Sequence, residues 1–415
     1  MSQPLKICLL GYRSQPFSGG QGIYIRYLAH ALRDLGHDVT VISGEPYPHL
    51  DDDITLVKMP GLNLFAAENA MKALRWHHFK DRIDLFEWWS HNSGGFPEPY
   101  TFGERLVRWF KKNKPDFDII HDNQCLAPGL LKLEKMGYPV VTTIHHPITV
   151  DRDIAINAAP DWKLRLLAKR WHSFLTMQIK VARKLQHILT VSECSKRDIA
   201  RDFKVRPDQM TVVLNGIDSE IFSPRPAIAR KSNRLMTIAS ADHPLKGLNY
   251  LIDALALLRQ DRPDLELTVI GAPKPGGPTE TQIKSLGLED AITFRHGLEP
   301  EEIVELWAEA TIAVSPSVYE GFGLPAGEAM ACGVPLVSAA GGALPEVVGD
   351  AGIVVPVRDS QALAREIGGL LDDPARRDHL AKMGRDRILN AFTWKRAAEQ
   401  SVALYETAIN QARNA

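Results

Sequence analysis

Two glutamates lie close together in SPSVYEGFGLPAGEAMACGVPLVSAAGGALPEVV, which spans Ser315–Val348. Glu320 and Glu328 are separated by seven residues that include a glycine-rich turn and Pro325. Because a first helical turn does not need the N–H that proline lacks, Pro325 predicts the start of a helix. The exposed N–H groups of the preceding turn, Gly321–Leu324, would bind an oxyanion or a phosphate. The two carboxylates would repel that anion, so they make sense as acceptors for sugar and ribose hydroxyls.

A second candidate anion site is the early loop SGGQGIY, Ser18–Tyr24, between a predicted strand and a helix predicted over Gly22–Leu35. Its glycines let the backbone approach a ligand closely, and the helix N-terminus offers N–H groups to an anion. The loop does not match G-x-G-x-x-G, and an ordinary tight turn explains it equally well when it is taken alone.

The elements that must position these residues alternate between short β-branched runs and helical patterns. Apolar strands without clean alternation, separated by helices, are typical of parallel sheets covered on both faces. We therefore predict an α/β, doubly wound fold. The predicted strands are Lys6–Gly11, Val39–Ser43, Ile119–His121, Val140–Ile144, Ile188–Ser192, Met210–Leu214, Leu235–Ala239, Leu265–Gly271, Ile292–Phe294, Ile312–Ser315, Leu336–Ser338 and Ile353–Val355.

The chain has 415 residues, which at about 150 residues per domain predicts two or three domains. The segment FSPRPAIARKSN, Phe222–Asn233, interrupts the alternation and is predicted to be a linker. We therefore predict a Rossmann-like N-terminal domain over residues 1–222 and a Rossmann-like C-terminal domain over 223–392. Because ligands bind outside the carboxyl ends of the strands in such sheets, the two predicted domains would face a central cleft.

Composition excludes several classes of protein. There are 49 Lys and Arg against 50 Asp and Glu, and this balance argues against bulk nucleic-acid binding, which needs a strong positive field. The four cysteines lie far apart without zinc-like spacing, which predicts reduced thiols in a cytoplasmic protein. No stretch approaches the roughly 20 apolar residues of a membrane span, so any expected membrane contact is peripheral.

The E-x7-E pattern within EGFGLPAGEAMACGVPLV resembles the signature of the retaining family 4 glycosyltransferases, which have the two-domain GT-B fold. Other segments that resemble family motifs occur in the same order as in the family, along nearly the whole chain. They are the early glycine loop, His37–Val41, VVLNGID at Val212–Asp218, Lys246-Gly247 and Gly341–Pro356. The resemblance implies a GT-B fold whose C-terminal helix, 393–415, returns to the N-terminal domain. It also implies transfer of a sugar from a nucleotide sugar.

The resemblance implies roles for matched positions in the second domain. Glu320 would contact hydroxyls of the transferred sugar, Glu328 the ribose, and Lys246 the diphosphate, whose departing charge it would stabilise. Backbone groups of four neighbouring residues would hold the sugar and the diphosphate: Gly321, Phe322, Gly323 and Leu324. The segment Phe294–Leu298, which includes Gly297, matches the edge that meets the base through its backbone.

In the first domain, the resemblance implies that three glycines close over the diphosphate: Gly19, Gly20 and Gly22. His145, in TTIHHP, matches a position near the reacting sugar and the acceptor, and the adjacent His146 is a rival for that place. The predicted catalytic residues are therefore His145, Lys246 and Glu320.

One position departs from the family pattern. An Arg usually stands five residues before the lysine, and Ala241 occupies that position in SADHPLKG. Losing a bidentate phosphate donor should weaken stabilisation of the leaving group, because Arg and Lys are not equivalent at such sites. Either another cation such as His243 or Arg13 compensates, or activity is reduced.

Two stretches of the first domain are candidates for the acceptor side. Residues 61–113 hold eleven of the 31 aromatic residues, which would stack on sugars or acyl chains, or else form a small core or a subunit interface. Residues 161–184 form a helical pattern with seven Lys or Arg against one acid, which suits either an anionic bilayer or a solvated covering helix. Its predicted apolar face contains Leu164, Leu167, Trp171 and Leu175.

We therefore predict a retaining, metal-independent glycosyltransferase that moves a sugar from a nucleotide sugar, most simply a UDP-sugar, to a hydroxyl acceptor such as a lipid or glycan precursor. Front-face attack needs no protein nucleophile, so positioning and stabilisation of the departing charge would supply catalysis. No cofactor, metal or nucleic acid is expected, and a peripheral contact with an anionic membrane stays open. The alternatives are a nucleotide-sugar epimerase of the same fold and a pseudoenzyme that only binds nucleotide sugars.

Overall fold

A computed structural model of the chain describes residues 3–15 and 20–414 and divides into two compact units. The first unit contains the chain up to Val191, Ser195–Leu214 and the segment from Trp394 onward. The second unit contains Ser192–Cys194 and Asn215–Thr393.

The predicted linker, Phe222–Asn233, lies inside the second unit. The residues before it are held there by Ile217, whose N–H donates to the Phe392 carbonyl at 2.9 Å. The Ile217 side chain is buried against Gly327, where an added Cβ would lie 2.7 Å from Ile217 Cδ1. The change of unit therefore comes earlier than the composition of the linker suggests.

In chain order, the elements as far as the end of the second unit's first strand are β1 (Lys6–Gly11), α1 (Gly20–Asp34), β2 (Asp38–Ser43), β3 (Thr55–Lys58), α2 (Arg82–Asn92), α3 (Glu98–Asn113), β4 (Ile119–Asn123), α4 (Pro128–Lys135), β5 (Val140–Ile144), α5 (Thr149–Ala158), α6 (Trp162–Trp171), α7 (Phe174–Ala182), β6 (Ile188–Thr190), α8 (Glu193–Phe203), β7 (Met210–Val212) and β8 (Arg234–Ile238). The remaining elements are α9 (Leu248–Leu258), β9 (Glu266–Ile270), α10 (Pro278–Leu286), β10 (Ile292–Arg295), α11 (Pro300–Glu309), β11 (Ile312–Ser315), α12 (Leu324–Ala331), β12 (Leu336–Ala339), α13 (Leu344–Val348), β13 (Ile353–Val355), α14 (Ser360–Asp372), α15 (Pro374–Ala391) and α16 (Trp394–Arg413).

Seven described strands form the first sheet in the order β3-β2-β1-β4-β5-β6-β7, and every neighbouring pair is parallel. Strands β4 and β5 are buried along their whole length, as the apolar runs predict. One apolar core lies between the sheet and helices α3, α4, α7 and α8, and another between the sheet and helices α1 and α16. In the second core, the Trp394 ring stacks on Tyr27 with the ring centroids 5.5 Å apart.

Six described strands form the second sheet in the order β10-β9-β8-β11-β12-β13, again all parallel. Its core joins the sheet to α9 and α14 through residues such as Leu251, Leu255, Leu363 and Ile367. The predicted α/β, doubly wound architecture with two Rossmann-like sheets is confirmed.

Each sheet has a point where the strand order reverses, between β1 and β4 in the first and between β8 and β11 in the second. The connections that leave two adjacent strands there run to opposite sides of the sheet, which opens a crevice at the carboxyl ends. The loops that follow these four strands are therefore the places to look for a bound ligand.

Two sequence expectations fail in the first unit. Strand β3 was not predicted, because TLVK is short and stays half exposed at the edge of the sheet. The single apolar face predicted along residues 161–184 is wrong, because α6 ends at Trp171 and α7 begins at Phe174. Leu164 and Leu167 are exposed on α6, whereas Leu175 on α7 is buried.

Candidate functional site

The loop that follows β8 carries Lys246 at the reversal point of the second sheet. A short 3-10 turn, Pro244–Lys246, ends at Gly247, whose φ of 63° is the left-handed conformation that glycine adopts without strain. A Cβ at Gly247 would lie 2.1 Å from the Pro316 carbonyl oxygen, so glycine is needed for this approach of the two loops. Lys246 is thereby held beside the loop that follows β11 and carries Glu320.

Lys246 and Glu320 form an ion pair. Lys246 Nζ lies 2.7 Å from Glu320 Oε1, and Ser317 Oγ donates to the same oxygen at 2.8 Å. The two side chains are 31% and 16% exposed, so the pair is partly withdrawn from water and its attraction is stronger than at an open surface. The pair puts a cation suited to a phosphate next to a carboxylate suited to a sugar hydroxyl.

Two glycines, Gly341 and Gly342, pack closely against the backbone of the loop that carries Glu320. A Cβ at Gly342 would lie 2.2 Å from the Glu320 carbonyl oxygen, and one at Gly341 would lie 2.0 Å from the Ser317 carbonyl oxygen. The Ala343 N–H donates to the Glu320 carbonyl at 2.9 Å. These glycines therefore set the position of Glu320 through close backbone contact.

The turn before α12 directly follows Glu320 in the chain. Gly323 has a φ of 100°, and the helix begins at Leu324 with a proline in its first turn, as predicted from Pro325. The Phe322 side chain is buried and packs edge to face on Phe392, with the ring centroids 5.9 Å apart. Only the backbone of Phe322 is therefore free to contact a ligand, together with the helix-starting N–H groups that lack intrahelical partners.

Glu328 lies one turn inside α12. Burial raises the pKa of its carboxyl group to about 7, because the charged form loses its hydration there. Within the described residues its carboxylate makes no hydrogen bond, so both oxygens remain able to accept from a ligand. A pair of ribose hydroxyls would supply such donors.

Gly297 stands apart from this cluster. It lies on the exposed loop after β10, the edge strand, and has a φ of 66°. A Cβ there would meet no atom within 4 Å, so the backbone conformation and not crowding accounts for glycine. The role of this loop in contacting the base stays a prediction.

Ala241 belongs to the core of the second unit. It is buried against the cluster that includes Leu248, and its carbonyl accepts from Thr279 Oγ1 at 3.0 Å. The next residue, Asp242, accepts hydrogen bonds from backbone N–H groups of the loop after β9, including that of Lys274 at 2.6 Å. The position that carries an Arg in the family is therefore occupied by a packed apolar side chain.

The two cations proposed to replace that Arg have different surroundings. Arg13 lies in the first unit, where it donates to Glu98 at 3.0 Å and lies over the Phe65 ring. His243 is exposed at the start of the turn that precedes Lys246. Only His243 shares a loop with Lys246.

The glycine loop of the first unit is partly described. Gly19 lies outside the described residues. Gly20 begins α1 and is exposed, and a Cβ there would meet no atom within 4 Å. A Cβ at Gly22 would lie 2.1 Å from the Gln15 carbonyl oxygen, so packing requires this glycine whether or not a ligand binds.

His145 follows β5 directly, next to the reversal point of the first sheet. Its Nε2 lies 2.7 Å from Asn123 Oδ1, and its ring meets the Tyr24 ring edge to face at 4.7 Å between centroids. Burial lowers the pKa of His145 to about 3, with further lowering by His146 and His121. The imidazole is therefore neutral at working pH and suits hydrogen bonding, not proton donation from a charged ring.

Sequence reasoning missed the two residues that hold His145. Asn123 and Gln124 end β4 and begin its loop, and Gln124 Oε1 accepts from the His145 N–H at 2.8 Å. Both side chains are buried. The available signal was the polar run HDNQ directly after a buried apolar strand, at an edge where parallel sheets hold ligands.

Rings of the aromatic-rich stretch 61–113 pack with rings of α6 and α7 in a small aromatic cluster. The Phe96 ring lies 5.8 Å from Phe65, 5.3 Å from Trp171 and 5.1 Å from Phe174, measured between ring centroids. Several other rings remain outside that cluster, above all Trp76, which is 90% exposed. Packing therefore explains part of the aromatic excess and leaves the outer rings unassigned.

Over residues 3–15 and 20–414, no helix is long and apolar enough to cross a membrane. The same part of the chain contains no group of three or more His, Cys, Asp or Glu side chains placed to hold a metal ion. All four cysteines lie in the described part of the chain, and none of them forms a disulfide bond there.

Two parallel Rossmann-like sheets, the second with a charged pair at its reversal point, define a protein of the GT-B glycosyltransferase fold. Solved structures agree: sucrose-phosphate synthase from Thermosynechococcus elongatus has a TM-score of 0.72 at 23% identity and covers 99% of this chain and 100% of its own. Anabaena HepE, solved in complex with UDP-glucose, has a TM-score of 0.69 at 19% identity and covers 97% and 99%.

The sequence matches narrow the class further. The family model described as Glycosyltransferase Family 4 matches residues 18–221, and the one described as Glycosyl transferases group 1 matches residues 218–387. MMP alpha-(1->4)-mannosyltransferase from Mycolicibacterium hassiacum is 46% identical over 410 residues, which cover 98% of both chains. D-inositol 3-phosphate glycosyltransferase from Kribbella flavida is 25% identical over 94% of this chain and 91% of its own. The chain belongs to glycosyltransferase family 4 and is a glycosyltransferase, as its E-x7-E motif predicts.

Proposed function

We propose that the protein transfers a mannosyl residue from a nucleotide sugar to a hydroxyl of a glycan acceptor, with retention of configuration. The observation that carries the proposal is the Lys246–Glu320 pair at the reversal point of the second sheet. The choice of mannose is supported by 46% identity, over 98% of both chains, to a relative named as a mannosyltransferase.

Binding of the nucleotide-sugar donor would make Lys246 exchange its partner. A nucleoside diphosphate carries more negative charge than a single carboxylate, so Lys246 would turn from Glu320 toward the diphosphate. Glu320 would then be free to accept hydrogen bonds from the sugar. Ser317, which already donates to Glu320, would keep the carboxylate oriented during that exchange.

The proposed transfer step is front-face attack, which the resemblance to the retaining family 4 glycosyltransferases implies. The bond between the anomeric carbon and the diphosphate oxygen breaks, and its electron pair leaves with the diphosphate. The acceptor hydroxyl oxygen forms the new bond on the same face, and its proton passes to the departing diphosphate. Lys246 and the N–H groups at the start of α12 stabilise the charge that develops there.

The donor test compares nucleotide sugars directly. We expect GDP-mannose or UDP-mannose to raise the melting temperature and to yield product with an α-(1→4)-linked mannose oligosaccharide, and UDP-glucose and ADP-glucose serve as comparison donors. Retention is measured from the one-bond carbon–hydrogen coupling at the anomeric carbon of the product, because the H1–H2 coupling of a mannoside is small in both anomers. Donor binding without turnover would favour the pseudoenzyme, and conversion of the donor sugar without acceptor would favour the epimerase.

We also propose that helix α6 contacts an anionic lipid surface. Trp162 and Leu166 are 70% and 60% exposed and lie one helical turn apart, so they share an outward face. Exposed cations border this face, Lys163 and Arg165 on either side of it and Lys169 at its C-terminal end. An apolar stripe between cations is typical of helices that lie in a membrane interface.

Vesicle sedimentation tests this contact. We expect binding to phosphatidylcholine vesicles that contain about 30% phosphatidylglycerol and much weaker binding to phosphatidylcholine alone. The Trp162→Ser, Leu166→Ser double variant should bind at least about tenfold less, whereas Met136→Ser, at another exposed apolar residue of the first unit, should bind like the parent. Equal binding by both variants would rule out α6 as the contact.

A further inference from the structure

Asn123 connects the start of α1 to His145. It is the last residue of β4 and is only 2% exposed. Its side-chain Nδ2 donates to the Gln21 carbonyl at 3.0 Å, and its Oδ1 lies 2.7 Å from His145 Nε2. Both ends of this amide are therefore engaged, one by the backbone and one by the imidazole.

The backbone contact fixes which way the amide points. A carbonyl oxygen only accepts hydrogen bonds, so the NH₂ group of Asn123 must face Gln21 and its oxygen must face the ring. An amide oxygen also only accepts, so His145 Nε2 must carry the proton. A neutral imidazole has a single N–H, and Nδ1 therefore bears a lone pair.

Nothing in the described part of the chain uses that lone pair. The hydrogen bonds of the His145 side chain reach only Asn123, and those of its backbone go to Gln124 and Ser195. Ser195 Oγ donates to the His145 carbonyl at 2.8 Å, so the peptide is held on both sides. The ring thus presents one unused acceptor on a fixed backbone.

The groups around the ring favour its neutral form. Tyr24 on α1 packs against it, and its hydroxyl is hydrogen bonded to Thr143. His121 on β4 and the adjacent His146 are the titratable side chains whose positive charge would reach His145 and oppose its protonation. Asp122 lies between His121 and Asn123 on β4, and its carboxylate accepts from Thr142 and from the N–H groups that follow the strand.

We propose that Asn123 is a positioning residue for the transfer reaction: it holds His145 in the Nε2–H tautomer so that Nδ1 accepts a hydrogen bond from a hydroxyl of the sugar substrates. This inference rests on the proposed function, because it assigns the hydroxyl to the donor sugar or the acceptor. A hydrogen bond from a neighbouring residue to one ring nitrogen of a histidine commonly selects the tautomer.

Asn123→Asp is the decisive variant. A carboxylate still accepts from Nε2–H, but it also stabilises the imidazolium, so the pKa of His145 should rise. Protonation would then remove the Nδ1 lone pair as the pH falls. An adjacent anion raises a pKa by about 1–3 units, here from a parent value of about 3. We therefore expect the ratio of variant to parent kcat, at saturating donor, to be within about threefold at about pH 8.5 and to fall progressively below about pH 6, by up to about tenfold at about pH 5.

Two comparisons isolate this effect. Asn113→Asp, an identical change at the exposed end of α3, should leave the kcat ratio flat with pH. A purely structural role for Asn123 would lower the kcat of Asn123→Asp by one factor at every pH, and that result would overturn the proposal.

Histidine nitrogen NMR gives a readout that needs no activity. In protein labelled with nitrogen-15 histidine, and with His145→Gln used for assignment, we expect the parent His145 to show a protonated Nε2 and an unprotonated Nδ1. The opposite tautomer would refute the proposal even if the protein is an active transferase. If the tautomer is as expected but no donor is turned over, the proposed function fails and the role of Asn123 in selecting the tautomer stands.

Discussion

The reversal points of the two sheets use different chemistry to prepare for a ligand. At the second sheet, Lys246 and Glu320 form a partly exposed ion pair. At the first sheet, the neutral His145 is held by buried amides, including Asn123. Charge is kept where a leaving diphosphate would develop charge, and neutral hydrogen bonding is kept where a hydroxyl would need orientation.

The difference also decides how each site responds to pH. Lys246 already has Glu320 as a partner, and a diphosphate would replace one anion with another. His145 has no anionic partner among the described residues, and burial holds its pKa near 3. The first site is therefore expected to keep one protonation state across the working range, which suits a fixed hydrogen-bond acceptor.

The largest expected effect comes from removing the cation of the second site. Lys246→Ala should lower kcat/KM about 10²–10³-fold, because the buried Ala241 replaces the family Arg and the proposed mechanism then leaves Lys246 to carry the diphosphate charge without it. Steady-state kinetics and donor titration measure this loss. Lys284→Ala, at an exposed lysine of α10, is the matched control and should behave like the parent.

A Lys246→Ala protein that binds and turns over donor like the parent would break the comparison. The diphosphate would then be held elsewhere, and the Lys246–Glu320 pair would only stabilise the loop. Circular dichroism and thermal unfolding of the variant show whether the fold is retained, so a loss of activity is not mistaken for unfolding.

The sequence predicts the second site better than the first for a physical reason. Glu320, the turn after it and Glu328 lie within one short stretch, so their spacing is visible in the chain. Lys246 lies far away but precedes a glycine whose left-handed φ the fold requires. Contiguous motifs, and glycines that the backbone conformation requires, can therefore be identified from the sequence alone.

The first site is assembled from neutral residues on separate elements. Asn123 ends β4, His145 follows β5 and Gln21 lies in α1, and no pattern in the chain links them. Strand existence was predictable from buried apolar runs, whereas the half-exposed β3 and the break between α6 and α7 depend on packing that composition does not encode. The orientation of one amide is visible only once its partners are in place.

A smaller effect is expected at Glu328, whose pKa of about 7 places its titration within the working range. In the proposed role the carboxylate form would accept hydrogen bonds from ribose, so donor affinity should fall as the pH drops through about 7. Glu328→Gln should bind donor about tenfold more weakly than the parent at about pH 8.5, and the difference should largely vanish at about pH 6. Isothermal titration calorimetry at both pH values measures this.

Stability provides the control for that variant. Because the folded-state pKa of Glu328 is raised above its usual value of 4.5, its stabilising contribution is present below that value and is lost as the pH rises through about 7. Glu328→Gln should therefore melt higher than the parent at about pH 8.5 and not at about pH 5, while the exposed Glu289→Gln should change neither property. Donor affinity that is equal in variant and parent at high pH would remove the ribose role.

The smallest expected effect follows the addition of EDTA, which should change activity by less than about twofold. In the proposed mechanism Lys246 and helix N–H groups hold the diphosphate without a metal ion. The acidic loop at Asp51–Asp53 has a D-x-D spacing, and the first and last of its carboxylates already pair with cations. Arg33 lies 2.8 Å from Asp51 and 2.6 Å from Asp53, and His30 lies 2.6 Å from Asp51. The assay compares activity after chelation with activity after magnesium or manganese is restored. Activity that is abolished by EDTA and recovered with either ion would mean that the second site needs a divalent cation beside Lys246. The positive charge of that site would then come partly from the ion, and the comparison of a charged protein site with a neutral one would no longer hold.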